Sequence, residues 1–165
     1  MYGYKEASPL QKIVRRTAGT RLLRWLYIRI QQSLDRYVYG LTGGRTTASS
    51  WLSGLPVIML TTVGARTGHQ RTVPVLGIPG GEQLVVIASN YGQSHHPAWY
   101  YNLRAHPRAS VTVDGVTYEV EARELTGEES ERYFRQAVEM YPPFVSYRQL
   151  AVDRRIPVIK LDPAS

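Results

Sequence analysis

The sequence contains no cysteine. That excludes a disulfide scaffold, a thiol nucleophile, and any zinc or iron–sulfur centre held by thiolates, and it fits a cytoplasmic location. Histidine is sparse. His69, His95, His96 and His106 show neither His-x-x-x-His nor HExxH spacing, so no metal site is expected. Long apolar runs are missing from the N-terminal part. The longest within residues 10–39 is Trp25-Leu26-Tyr27-Ile28, far too short to span a bilayer, and no signal peptide is expected. There is no Walker A or GxGxxG sequence, no Ser-His-Asp order, no paired-carboxylate pattern, no repeat and no low-complexity tract. Chemistry, on these exclusions, comes from a bound cofactor.

What is present is an ordinary globular composition of 165 residues, 43% hydrophobic and 20% charged, enough for one domain with a real core. The net charge of +7 is concentrated. Residues 1–45 hold nine basic side chains (Lys5, Lys12, Arg15, Arg16, Arg21, Arg24, Arg29, Arg36 and Arg45) against Glu6 and Asp35, which accounts for the whole excess. A second basic feature lies within residues 46–111, where Arg66, Arg71, Arg104 and Arg108 face Glu82 alone.

Residues 1–45 read as a basic, amphipathic helical arm. Leu22, Leu26, Ile30, Leu34 and Val38 recur every four residues, with arginines on other faces. The stripe either packs on the domain or docks on an anionic membrane surface, where Trp25 and Tyr27 suit an interfacial position. The second reading makes the protein peripheral at the inner face of the cell membrane. Residues 46–165 read as a single cofactor-binding domain. Strands are expected over 56–63, 71–78, 83–88, 108–113, 116–124 and 156–161. Helices are expected over 97–105, 126–141 and 144–152. Asp114-Gly115 is a type I′ hairpin signal, and Thr126 with Glu129 reads as a capping box. Val116, Tyr118, Val120 and Ala122 are expected on one face of their strand. Six strands with hairpins, one inserted helix and flanking helices make an α+β fold, a small antiparallel barrel.

Residues 60–102 carry the candidate site. Arg66, Thr67, Gly68 and Arg71 form a Gly-containing turn between two arginines, whose planar donor forks match phosphate or carboxylate. Two arginines at a surface turn are also often simply solvated. Ser89-Asn90-Tyr91-Gly92 follows an apolar strand, where backbone N–H groups can meet a flat heterocycle. Pro97 to Asn102 open a helix, with Trp99 and Tyr100 either in the core or against a ligand. Tyr141, Phe144 and Tyr147 recur every three residues after a helix stop. They are either a packing cluster or a source of phenol donors to a substrate oxygen.

Taken together, LTTVGARTGHQRTVPV, VVIASNYG, HPAWYYNLRAHPRASVTV, VEARELTGEE and MYPPFVSYRQL…RIPVIKLDP resemble, in order and spacing over residues 55–163, the deazaflavin (F420)-dependent nitroreductase family. These are actinobacterial proteins that use coenzyme F420. The resemblance implies a split β-barrel of FMN-binding type, six-stranded and antiparallel, and an F420H2-dependent oxidoreductase that delivers hydride to a quinone or nitro-aromatic acceptor. It places the cofactor's phosphate and oligoglutamate tail at Arg66, Thr67 and Arg71. Thr72, Val73, Pro74, Val75 and Leu76 would line the cofactor, and Ala88, Ser89 and Asn90 would hold its ring. Ala98, Trp99, Tyr100, Tyr101 and Asn102 would close the pocket. Tyr141, Phe144 and Tyr147 fall on the substrate side, with Tyr141, Ser89 and Tyr147 as the catalytic candidates. Three positions depart from the family pattern: Asn90 replaces a frequent lysine, Ala65 a frequent basic residue, and Phe144 a frequent tyrosine. The first two remove positive charge from the tail region, and the third removes a hydroxyl from the substrate side. The alternatives are an FMN oxidoreductase of the same barrel type and a non-catalytic F420 carrier. Nucleic-acid binding is not expected, because no long basic stripe interleaves with the aromatics.

Overall fold

The computed structural model describes residues 54–81 and 83–164. The basic arm of residues 1–45, with its proposed membrane-facing stretch 10–39, lies outside the described residues, as does the expected start of the second unit at residue 46. Among the described residues no helix is long and apolar enough to cross a membrane.

The order along the chain is β1 (Val57–Val63), β2 (Gln70–Leu76), β3 (Ile78–Gly80), β4 (Gln83–Ile87), a short turn at Asn90–Gly92, α1 (Ala98–Ala105), β5 (Arg108–Val113), β6 (Val116–Leu125), α2 (Gly127–Met140), α3 (Phe144–Leu150) and β7 (Val158–Pro163). All strand pairs are antiparallel, in the spatial order β2-β1-β5-β6-β7-β4-β3. The expected six strands are therefore seven, because the predicted strand 71–78 is divided at Gly77. The break has a local cause. Gly77 turns its N–H to Pro56 O at 2.8 Å, and a Cβ there would stand 2.9 Å from Ile58 Cγ2. Its consequence is global. β2 and β3 occupy opposite edges of the sheet yet are separated by one residue, so the sheet has to curl until those edges meet. The result is a curled half-barrel in an α+β fold.

Two cores follow from strand alternation. Val85 and Ile87 of β4 face a cluster with Leu125, Tyr133, Phe134, Ala137, Met140, Phe144 and Tyr147, under α2 and α3. Val86 and Ala88 face a second cluster with Ile58, Leu60, Trp99, Leu103, Val111 and Leu161, under α1. A strand covered on both faces has no polar side, which explains the uninterrupted Leu84–Ala88 run. Each fully buried aliphatic side chain here stabilises the fold by about 1.5–3 kcal/mol.

Asp114 and Gly115 take φ of 49° and 84°, as a type I′ turn requires. The β5–β6 hairpin projects beyond the core: Val120 is buried, but Val116 and Tyr118 are 52% and 53% exposed, so the expected apolar face is covered only in its second half. Thr126 does precede α2, but its side chain makes no capping hydrogen bond. Gly127 enters the helix at a φ of 58°, and Glu129 turns instead to Arg123 at 3.7 Å.

The register sets what lies at each end of the sheet. Val63↔Gln70, Thr62↔Ala109, Arg108↔Glu121, Leu125↔Val158 and Ile87↔Val158 bring the β1–β2 turn, the loop after β4, the α1–β5 junction, the start of α2 and the start of β7 to one end. Every loop singled out in the sequence as a candidate binding element is at that end.

Candidate functional site

The first element is the turn between β1 and β2. Gly64 O accepts from Thr67 N–H and Gly68 N–H at 3.2 and 2.8 Å, and Gly68 supplies a φ of 68°. Arg66, Thr67 and Arg71 are exposed around it. Among the described residues neither arginine has a carboxylate partner. Both guanidinium forks are directed at solvent space rather than spent on the fold, which suits capture of an anion. The turn is braced from α1. Asn102, 8% exposed, donates from Nδ2 to Thr62 Oγ1 at 3.0 Å and accepts Ala65 N–H on Oδ1 at 3.0 Å.

β2 forms an edge wall. Thr72 is exposed, its hydroxyl 2.8 Å from that of Thr61, while Val73, Pro74, Val75 and Leu76 are half-buried. Pro74 is tolerated because an edge strand leaves one row of N–H groups unpaired. Leu76 packs on the core beneath α2 and α3, as Tyr91 and Tyr141 also do.

The loop after β4 is strained. Ala88 is buried, and Ser89 and Asn90 are half-buried. Asn90, Tyr91 and Gly92 then run consecutively in the left-handed region, at φ of 45°, 54° and 75°. For a residue such as Tyr91 that conformation costs roughly 1–2 kcal/mol, so the surroundings have to impose it. Several contacts do so. Asn90 Nδ2 donates to His95 O at 3.0 Å. Gly92 fits where a Cβ would meet Leu150 Cβ at 2.8 Å and Tyr147 O at 3.0 Å. The Tyr91 ring meets Tyr147 edge-on at 5.9 Å. Arg154 donates to Ser89 O at 2.6 Å, Gln93 O at 2.8 Å and Ala88 O at 3.3 Å. Nothing in the sequence singled out Arg154. It sits in a charged Asp153-Arg154-Arg155 stretch that reads as solvated surface.

The aromatic triad is brought together as expected, and by the helix break itself. The residue before a proline leaves the helical region, and Tyr141, at φ of −140° ahead of Pro142, is turned out of α2. Its hydroxyl lies 3.2 Å from that of Tyr147, which is 1% exposed. Phe144 meets both rings edge-on, at 5.4 and 6.0 Å.

The α1 residues divide. Ala98 and Tyr101 are exposed, whereas Trp99 and Tyr100 are buried in the core. Tyr100 donates to Glu124 Oε2 at 2.9 Å, and burial followed by that hydrogen bond pushes its phenol pKa up, keeping it protonated. His96 packs on the Tyr100 ring at 4.6 Å, with Arg154 Nη1 3.1 Å from its Nδ1. Burial, then the charge of Arg154, pushes the His96 pKa down. A neutral imidazole with Nδ1 as acceptor satisfies that contact.

A cleft of about 820 Å³ is lined by Thr126, Ser130, Arg135, Arg148, Arg154 and Arg155 among others. It contains none of the residues expected to hold the cofactor, and its Arg148 and Arg155 are paired with Glu131 and Glu124. Among the described residues no group of three or more acidic or histidine side chains is placed to hold a metal ion.

A curled antiparallel sheet with an anion-ready turn, a strained loop and a phenol pair at one end defines a split-barrel cofactor-binding protein. The F420H(2)-dependent quinone reductase family model matches residues 28–163. The chain belongs to this family, an oxidoreductase family whose hydride donor is F420H2. It is 27% identical over 114 residues to the F420H(2)-dependent quinone reductase Rv1261c of Mycobacterium tuberculosis, spanning 69% of this chain and 70% of that one. It is 30% identical over 109 residues to Rv3178 of the same species, described as a candidate reductase of this kind, over 66% of this chain and 91% of that one. A solved structure titled as an F420-H2 dependent reductase (FDR-A) superposes with a TM-score of 0.60 at 38% identity, covering 65% of this chain and 94% of that one.

Proposed function

We propose that this protein reduces a quinone at the loop-bearing end of the half-barrel, with F420H2 held between the β1–β2 turn and the loop after β4. The observation that carries the reading is the convergence of two exposed arginines without a carboxylate partner among the described residues, a strained backbone loop and, against that loop, the Tyr141–Tyr147 hydroxyl pair. When bound, F420H2 supplies a hydride as a two-electron reductant.

The residues divide the work. Arg66, Thr67 and Arg71 hold the anionic phosphate and tail by charge-assisted hydrogen bonds. Thr72 to Leu76 wall one side. Ala88, Ser89 and Asn90 present backbone and side-chain polar groups to the ring, and Ala98 and Tyr101 lie towards the pocket. Trp99, Tyr100 and Asn102 support it from within. Tyr141 donates a hydrogen bond to the quinone oxygen and, as hydride arrives at the quinone, gives up its proton. Tyr147 stands behind it as the source of a replacement. Hydride and one proton complete the two-electron reduction. Ser89 assists in orienting the acceptor. Phe144 contributes an apolar wall without a third hydroxyl, which favours quinones over nitro-aromatics as acceptors.

The test is fluorescence titration with F420 and with FMN, followed by turnover of F420H2 with a menaquinone analogue. Tight FMN binding without F420 binding would replace the cofactor assignment. F420 binding without quinone turnover would make the protein a carrier. The location proposed here is peripheral at the membrane, where lipophilic quinones reside, and is supported by the basic amphipathic pattern of residues 10–39. Co-sedimentation with anionic but not neutral vesicles is the expected result.

A further inference from the structure

We infer that Arg154 is a positioning residue, holding the Ala88–Gln93 loop in the left-handed shape that aims the Asn90 N–H into the cofactor site. The inference rests on the reading of Ala88, Ser89 and Asn90 as the ring wall.

The loop is tied by its own backbone mainly at its entry. Its backbone bonds are Ala88 N–H to Pro157 O, Ser89 N–H to Ile87 O, Gly92 N–H to Ser89 O and Gln93 N–H to Asn90 O, at 2.9, 2.9, 2.9 and 3.0 Å. The first anchors the entry of the loop beside the start of β7, and the other three close small turns within it. Arg154 comes from the connection between α3 and β7. Its Nε reaches the exit of the loop at Gln93 O, 2.8 Å away, and its Nη2 reaches the entry at Ser89 O, 2.6 Å away. Nη1 adds Ala88 O and Arg155 O, both at 3.3 Å, and the His96 Nδ1 at 3.1 Å. A planar fork of five donors can span these acceptors together, and a lysine ammonium cannot. The same connection follows α3, whose Tyr147 and Leu150 press on Gly92, so one segment clamps the loop at its base and its far side.

Peptide planarity converts this clamp into a functional geometry. Ser89 C=O and Asn90 N–H belong to one trans peptide unit and point in opposite directions. Fixing Ser89 O on Arg154 therefore fixes Asn90 N–H facing away from Arg154. Among the described residues that N–H has no hydrogen-bond partner. An amide donor held in place and left unspent is suited to a carbonyl of a flat heterocycle. The partly buried Arg154 loses some of the preference for its charged form through desolvation, and remains a cation at neutral pH.

The experiment compares wild type, R154M, R154K and, for rescue by free guanidinium, R154A, without ligand and with F420. Backbone hydrogen exchange at Ser89, Gly92 and Gln93 is the ligand-free readout. Both variants are expected to exchange there about tenfold or more faster, with β5 and β6 unchanged. The dissociation constant for F420 is expected to rise about tenfold, and 20–50 mM guanidinium, as an order-of-magnitude working range, is expected to restore part of it in R154A. If R154M does not fold, R154K and the rescue of R154A carry the result. Unchanged loop exchange would overturn the inference. Faster exchange with unaltered F420 affinity would also overturn it, since the clamp would then serve the fold alone. A wild-type protein that binds FMN in place of F420 would remove the cofactor reading, while the exchange data would still decide what Arg154 does to the loop.

Discussion

Asn102 and Thr62, forty residues apart in sequence, are joined by a buried hydrogen bond of 3.0 Å from Nδ2 to Oγ1. The other end of the same amide accepts Ala65 N–H at 3.0 Å. One side chain of α1 thus fixes both the end of β1 and the start of the turn that carries Arg66. N102L removes both partners, leaving the Ala65 N–H and the Thr62 hydroxyl unpaired. A stability loss of about 1–3 kcal/mol is expected. Thermal unfolding measures it, and F420 affinity should fall with it even well below the melting temperature, because the arginine turn loses its brace.

Arg66 and Arg71 are exposed and unpaired with any described carboxylate, so replacing them disturbs little of the fold. R66Q and R71Q should melt within about 0.5 kcal/mol of wild type. Each should weaken F420 binding by about tenfold and flatten its dependence on salt concentration, since an exposed charge is screened. Titrations at low and physiological ionic strength check both points. Equal affinity across wild type and variants would move the tail elsewhere.

Tyr141 is expected to act on the acceptor and not on the cofactor. Y141F keeps the ring packing on Phe144 and removes the hydroxyl 3.2 Å from that of Tyr147. Turnover with a quinone should fall by about one hundredfold, with the F420 dissociation constant unchanged. Y147F, which leaves the donor in place, should fall less. Single-turnover oxidation of F420H2 followed by absorbance separates the two, and unchanged turnover in Y141F would remove the assignment.

His96 makes the loop sensitive to acid. Its folded pKa lies below the ordinary 6.5, through burial first and then the charge of Arg154; Glu124 opposes this, and Arg104 and Arg155 add to it. The unfolded chain therefore binds the proton more readily. The His96 contribution to stability is fully present above about pH 6.5 and is lost as pH falls from there through the lower folded value. Protonation also removes the acceptor that Arg154 uses. Exchange at Gly92 and Gln93 should quicken as pH drops through this window after correction for intrinsic rates, and the extra quickening should be absent in H96N.

Local chemistry made much of the fold legible. Alternating or continuous apolar runs marked the strands, Asp114-Gly115 marked a hairpin, and Pro142-Pro143 marked the stop that presents Tyr141. These signals operate over a few residues, where sterics and hydrogen bonding decide the outcome. Gly77 was less legible. A glycine in a strand is only a weak sign of a bend until Ile58 is known to press on it, and that contact is what turns six strands into seven.

The sequence by itself determined the two-face burial of β4, the exposed arginine turn and the order of candidate elements, because each depends on neighbours a few residues away. Only the tertiary structure decided how those elements are held. Curling the sheet brings Asn102 to Thr62 and Arg154 to Ser89, contacts across intervals of 40 and 65 residues. Hydrogen-bond partners at such separations are selected by strand register and not by local pattern. An arginine in a charged loop therefore looks unremarkable until the register places it, and Asn102, expected from the sequence at the pocket, is placed as the brace of a turn.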